Sequence, residues 1–144
     1  MEELKVSLIE VNGLTRHYGN FVALDDVSFS VEKGEIVGLL GPNGAGKTTA
    51  MKLLTGFLQP TAGHAIVGGH DVALVPELVQ SRIGYLPENA PLYGEMCVQD
   101  YLVMIAELRN VPQEEVISRI SEAVINTGLQ DRLTSNIGEL SKGF

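Results

Sequence analysis

Basic residues are scarce in this chain: 10 Lys and Arg stand against 18 Asp and Glu in 144 residues, a formal net charge of −8. A surface that neutralises nucleic-acid phosphates carries a basic face, so this balance argues against nucleic acid as a partner. Cysteine is almost missing. The single Cys97 has no partner for an internal disulfide and no metal-ligand companions nearby, which suits a reducing compartment and reads as a small apolar filler near a helix start. Long apolar runs are absent, and none reaches the roughly 18–20 residues that span a bilayer. The opening "MEELKVSLIEV" has neither the basic head nor the apolar stretch of a secretory signal. The expectation is a soluble, intracellular chain. There is no internal repeat and no low-complexity tract.

What is present is 44% hydrophobic residues, enough for one compact domain, or one and part of another. The first half is strand-like and punctuated by glycine; after Pro91 the pattern becomes helical. Val27, Phe29 and Val31 alternate with Ser28 and Ser30, which predicts a half-buried strand. "EKGE" turns it into a second strand, Ile36–Leu40, as an antiparallel pair. That second run, "IVGLL", is unbroken, the texture of a central strand covered on both faces. A helix is predicted from Lys47 to Thr55 with Gly56 as C-cap. A short strand follows at Ala65–Val67, and another buried strand at Arg82–Leu86. Val98–Leu108 and Val116–Val124 carry the spacing of two amphipathic helices. The second is opened by Pro112, with Glu114 and Glu115 in its first turn, and closed by Gly128.

The chemistry concentrates in "GPNGAGKTT", Gly41 to Thr49, which fits the phosphate-loop pattern GxxxxGK followed by Ser or Thr. Glycines let the loop wrap until backbone N–H groups point at phosphate oxygens, and the helix N-terminus behind it adds partial positive charge. Lys47 is placed to bridge the terminal phosphates, the Thr48 hydroxyl to ligate magnesium, and Thr49 to bond the first phosphates. Chance produces such a match in well under about 1% of chains this long, given ordinary glycine usage. Its position between an apolar run and a helix is the context the motif requires. Kinases, GTPases and transport motors all share this loop.

The flanks are more specific. "LTRHYGNFVALDDVSFSVEKGEIVGLLGPNGAGKTT", then "IGYLPE" and "LSKGF", resemble the ATP-binding subunit of an ABC transporter, from about Val6 to the last residue. "IGYLPEN" and "LSKGF" look most like the bacterial export subfamily that includes sodium-efflux and gliding-motility types. The resemblance implies an α/β phosphate-loop NTPase core of the RecA-like kind with an antiparallel β subdomain in residues 1–90, and a helical subdomain in 91–144. Nucleotide binding falls to Gly41, Pro42, Asn43, Gly44, Ala45, Gly46, Lys47, Thr48 and Thr49, with Tyr18 stacking on adenine. A lone Tyr ordinarily packs in a core or turn; its place before "VALDDVSF" carries the reassignment. Stacking needs only a flat π face. His17, His64 and His70 read as surface residues, and Asp25 and Asp26 as structural, because adjacent strand residues point to opposite faces.

Glu88 stands where the family usually has glutamine. It can still offer an oxygen to magnesium, while adding negative charge to an anionic site, and with Lys47 it completes the implied catalytic set. "LSKGF" stands where the family signature usually reads LSGGQ, with Lys142 for glycine and Phe144 for glutamine. The resemblance implies that Leu140, Ser141, Lys142 and Gly143 face the ATP of a second ATP-binding subunit. A hydroxyl and backbone N–H groups at a helix start suit a γ-phosphate. The implied cofactors are ATP and Mg2+. The implied partners are a transmembrane permease subunit and the second ATP-binding subunit, on the cytoplasmic face of the cell membrane. Because "LSKGF" opens a helix in that family and its remaining acidic strand, catalytic glutamate and switch histidine come later, the chain reads as an N-terminal fragment. A soluble ABC-type ATPase of DNA repair or translation is the alternative, with an ordinary phosphate-loop kinase behind it. A kinase has no reason to carry "LSKGF", and the short span between Glu88 and Leu140 leaves room only for a helical pair.

Overall fold

The computed structural model describes residues 7–90 and 92–141. The chain divides into two compact units, one running to Tyr85 and the other starting at Leu86.

The first unit is built on a four-stranded sheet in the order β2-β1-β3-β4. Strands β1 (Ser7–Tyr18) and β2 (Phe21–Glu32) form an antiparallel hairpin that closes on the Tyr18–Phe21 pair. Gly19 in the tight turn has φ 58°, a left-handed conformation that glycine adopts without a Cβ penalty. Strand β3 (Ala62–Val67) pairs antiparallel with the other side of β1, and β4 (His70–Asp71) pairs with β3. Residues 27–31 of β2 alternate between half-buried and exposed, as their Val/Ser/Phe pattern predicts. The partner differs from expectation: β2 pairs with β1, and Ile36–Leu40 joins no strand of the described residues. Ile36 is 101% and Leu40 92% exposed. An extended apolar run becomes a strand only by finding a ladder to satisfy its N–H and C=O groups, and none of the described strands supplies one.

Helix α1 (Lys47–Leu54) buries Ala50, Leu53 and Leu54 against the sheet. These join Val11, Leu14, Leu24, Ala65, Val67, Val72 and Val79 in one core. The helix stops in a glycine cap. Phe57 N–H reaches Lys52 O at 2.9 Å and Gly56 N–H reaches Leu53 O at 3.0 Å, with Gly56 at φ 70°, so the last carbonyls are satisfied without a further turn. Helix α2 (Pro76–Arg82) starts on proline and sends Val79 into the core. The strand expected at Arg82–Leu86 does not form: Arg82 ends α2, and Ile83 runs extended (φ −114°, ψ 146°) against the core in an irregular segment.

In the second unit, α3 (Val98–Leu108) and α4 (Val116–Thr127) pack together, with Val98 and Ala106 buried on one and Val116 and Val124 on the other. Gly128 closes α4 at φ 70°. Glu114 and Glu115 are not in its first turn. Glu115 N–H bonds Pro112 O at 2.8 Å in a separate turn, which leaves Glu115 as the N-cap residue, its carboxylate accepting from Arg119 Nη2 at 3.0 Å. Two short 3-10 turns, Gln130–Arg132 and Ile137–Glu139, lead to Ser141. They lie against the start of α3: Val98 N–H bonds Ser135 O at 3.1 Å, Gln99 N–H bonds Leu133 O at 2.9 Å, Ile137 N–H bonds Met96 O at 2.9 Å and Gly138 N–H bonds Gly94 O at 2.9 Å. A Cβ on Gly138 would sit 3.2 Å from Gly94 O, a tight contact that would push the two backbones slightly apart.

Candidate functional site

The glycine loop leaves Ile36–Leu40 and feeds α1 through a chain of constrained residues. Gly44 has φ 84° and Gly46 has φ 83°, both left-handed. Gly46 is the helix N-cap and has no side-chain capping bond. The first helical bond runs from Ala50 N–H to Gly46 O at 2.8 Å. The N–H groups of Lys47, Thr48 and Thr49 therefore sit in the turn that an α-helix leaves unpaired. No acidic side chain occupies that first turn. The positive end of the helix is left for an external anion.

Lys47 shapes the entrance. Its ammonium donates to Gly41 O and to Pro42 O, each at 2.7 Å. An ammonium has three donors, so two anchor it to the beginning of the loop and one remains for a ligand. Ala45 N–H bonds Pro42 O at 3.2 Å, which folds the loop on itself. Gly41, Pro42, Asn43, Gly44 and Ala45 are exposed, Lys47 and Thr49 half-buried, and the Thr48 residue exposed. At the other end of the loop, Gly46 lies against β2. A Cβ there would run into the Ala23 carbonyl oxygen and stand 3.2 Å from Leu24 Cδ1.

Tyr18 ends β1 at the tip of the hairpin, 45% exposed. The guanidinium carbon of Arg16 lies over its ring, 4.7 Å from the centroid. Arg16 is not among the residues expected from the sequence. A period of two would put residues 16 and 18 on one face, but the register of β1 shifts on both sides of Arg16, so no sequence pattern places this contact. The structure thus brings the glycine loop, Lys47, Thr48, Thr49 and the strand pair carrying Tyr18 into one unit. Glu88, Leu140 and Ser141 belong to the other unit, where Glu88 and Ser141 are exposed and Leu140 is half-buried. Lys142 and Gly143 lie outside the described residues. Among the described residues no group of three or more His, Cys, Asp or Glu is arranged to hold a metal, and no helix is long and apolar enough to cross a membrane.

The sequence profile of the ABC transporter family matches residues 24–144. The chain is 41% identical over 141 residues to the probable multidrug ABC transporter ATP-binding protein YbhF of Escherichia coli, covering 96% of this chain and 24% of that protein. It is 36% identical over 138 residues to the doxorubicin resistance ATP-binding protein DrrA of Mycobacterium tuberculosis, covering 94% of this chain and 42% of that one. It thus spans less than half the length of either relative. A solved ATP-binding subunit of an ABC transporter superposes with a TM-score of 0.82 at 33% identity, over 94% of this chain and 56% of that chain. The sheet, the glycine loop and its helix are therefore part of an α/β phosphate-loop NTPase fold, and the chain belongs to the ABC transporter ATP-binding family.

Proposed function

We propose that this chain carries the nucleotide-gripping part of an ATPase that drives export through a membrane permease. The observation that supports this most directly is the Gly41–Thr49 loop with Lys47 tethered at its mouth and an uncapped helix behind it. The loop N–H groups and Lys47 receive the phosphates, and Thr49 supports the first of them. Tyr18 stacks on the adenine.

Magnesium fits the donor set. Within the first unit the Thr48 hydroxyl, one residue after Lys47 in the helix's opening turn, is an oxygen donor of the kind this hard cation takes, and a metal sharing its shell with phosphate oxygens and water needs few ligands from the protein. When bound, it supplies charge neutralisation for the phosphates. Glu88, the carboxylate that stands where the family usually has an amide, is carried by the second unit and is assigned to the catalytic set on the strength of the family resemblance alone.

The first compact unit serves as the nucleotide-binding core and the second as the helical subdomain, with the division at Tyr85–Leu86 a few residues before the expected boundary at residue 90. The working unit is a pair of subunits in which Leu140, Ser141, Lys142 and Gly143 of one face the ATP held by Lys47 of the other. The pair docks on the permease at the cytoplasmic face of the membrane. Export as the direction draws support from the relatives named for multidrug transport and doxorubicin resistance.

The test uses the full-length protein. Ser141→Ala should leave ATP binding by the monomer nearly intact while steady-state hydrolysis and ATP-dependent dimer formation fall. Mixing Ser141→Ala with Lys47→Ala subunits should restore part of the activity, because one mixed dimer places both lesions in one composite site and leaves the other intact. Loss of monomer ATP binding by Ser141→Ala would defeat the two-subunit reading.

A further inference from the structure

Arg16 is held in a way that ordinary packing does not explain. Its Nη1 donates to Gln59 O at 2.8 Å, while its Nε is buried and finds no acceptor among the described residues. Burying an N–H without an acceptor is unfavourable, so the unsatisfied Nε offsets part of what the bond to Gln59 contributes. The guanidinium also lies over the Tyr18 ring, 4.7 Å from its centroid. That distance is within cation–π range.

The strand end bearing both residues is pinned to the segment that follows α1. Thr61 N–H bonds Thr15 O at 2.8 Å, and His17 N–H bonds Thr61 Oγ1 at 3.0 Å. Arg16 adds the side-chain bond to Gln59 in the same segment. Tyr18 thus projects from a braced strand with one ring face occupied and with 45% of the residue still exposed. Aromatic faces are electron-rich and repel when stacked directly. A cation on one face draws density away and makes the opposite face a better platform for a base.

We propose that Arg16 is a positioning residue for base recognition: its guanidinium, seated on one face of Tyr18 and tied to Gln59, fixes the ring so that the opposite face receives adenine. The proposal rests on the reading of Tyr18 as the base-stacking residue. It assigns Arg16 no contact with the phosphates.

The experiment measures dissociation constants for ATP and for inorganic tripolyphosphate, which lacks the base, in the full-length protein. Tyr18→Ala is expected to weaken ATP binding by about five- to 150-fold, the scale of a base–aromatic stack, and to leave tripolyphosphate unchanged. Arg16→Met is expected to weaken ATP about two- to fivefold, the factor matching a partly exposed cation–π contact, again with tripolyphosphate unchanged. Arg16→Lys should recover part of that loss, keeping the cation without the planar fork. In the Tyr18→Ala background, Arg16→Met should have no further effect on ATP. Equal losses for ATP and tripolyphosphate, an additive double variant, or a silent Arg16→Met beside a damaging Tyr18→Ala would each overturn the role of Arg16. If Tyr18→Ala itself leaves ATP binding unchanged, the stacking reading falls first and the Arg16 proposal with it.

Discussion

Lys47→Ala in the full-length protein is expected to raise the dissociation constant for Mg-ATP by about 100-fold or more and to abolish hydrolysis. Two losses combine. The ammonium's free donor no longer reaches the phosphates, and a charge-assisted bond of this kind contributes about 1.5–3 kcal/mol. The two bonds from Nζ to Gly41 O and Pro42 O also vanish, so the start of the loop is released before ligand arrives and must be ordered on binding. Titration calorimetry, with circular dichroism to show that the fold persists, separates these from a folding defect. An unchanged dissociation constant would remove Lys47 from the site and with it the phosphate-loop assignment.

Gly46→Ala should be the most damaging single methyl in the first unit's nucleotide loop. A non-glycine residue at φ 83° costs roughly 1–2 kcal/mol in the left-handed region. The new Cβ also meets the Ala23 carbonyl oxygen, which belongs to the β1–β2 hairpin and cannot withdraw without disturbing its ladder. Together these predict a loss of about 3 kcal/mol or more in denaturant unfolding without nucleotide, in the range of strained and overpacked sites. Gly44→Ala is the control. Gly44 has nearly the same φ, 84°, but a methyl added there would find no heavy atom within 4 Å, so only the backbone cost of about 1–2 kcal/mol applies. Equal destabilisation by the two variants would show that the Ala23 contact is unimportant.

How much of the fold and the site is legible in the sequence depends on whether the cause is local. The boundaries of α3 match the expected Val98–Leu108 because apolar spacing alone sets its buried face. Gly56 and Gly128 mark helix ends for a reason visible in any sequence, the ease with which glycine turns left-handed. Strand β1 is hard to see because "SLIEVNGLTRHY" does not alternate. Its register shifts between Val11 and Leu14 and again around Arg16, and Gly13 sits at φ 59°, so the period of two is broken where it would be read. Only the later part of β2 is recognisable, because Asp26 at φ 45° interrupts the pattern upstream of Val27. Ile36–Leu40 fails as a strand for a non-local reason: its texture announces neighbours on both sides, and pairing is a property of the neighbours as well as of the run. In the site, the glycine loop and Lys47 are readable as a contiguous motif. The bracing of Tyr18 by Arg16 and the seat of Gly46 on Ala23 are not, since each depends on segments brought together by the hairpin.

The backbone bonds that hold Gly94, Met96, Val98 and Gln99 to Leu133–Gly138 make the beginning of α3 and the approach to Ser141 a single mechanical piece. The start of α3 and the segment that leads to Ser141 are thus tied at four backbone points, Val98, Gln99, Ile137 and Gly138 donating. In engineering language this is a weld: the exposed Ser141 is reached through a segment riveted to the helix start, not through a free-hanging loop.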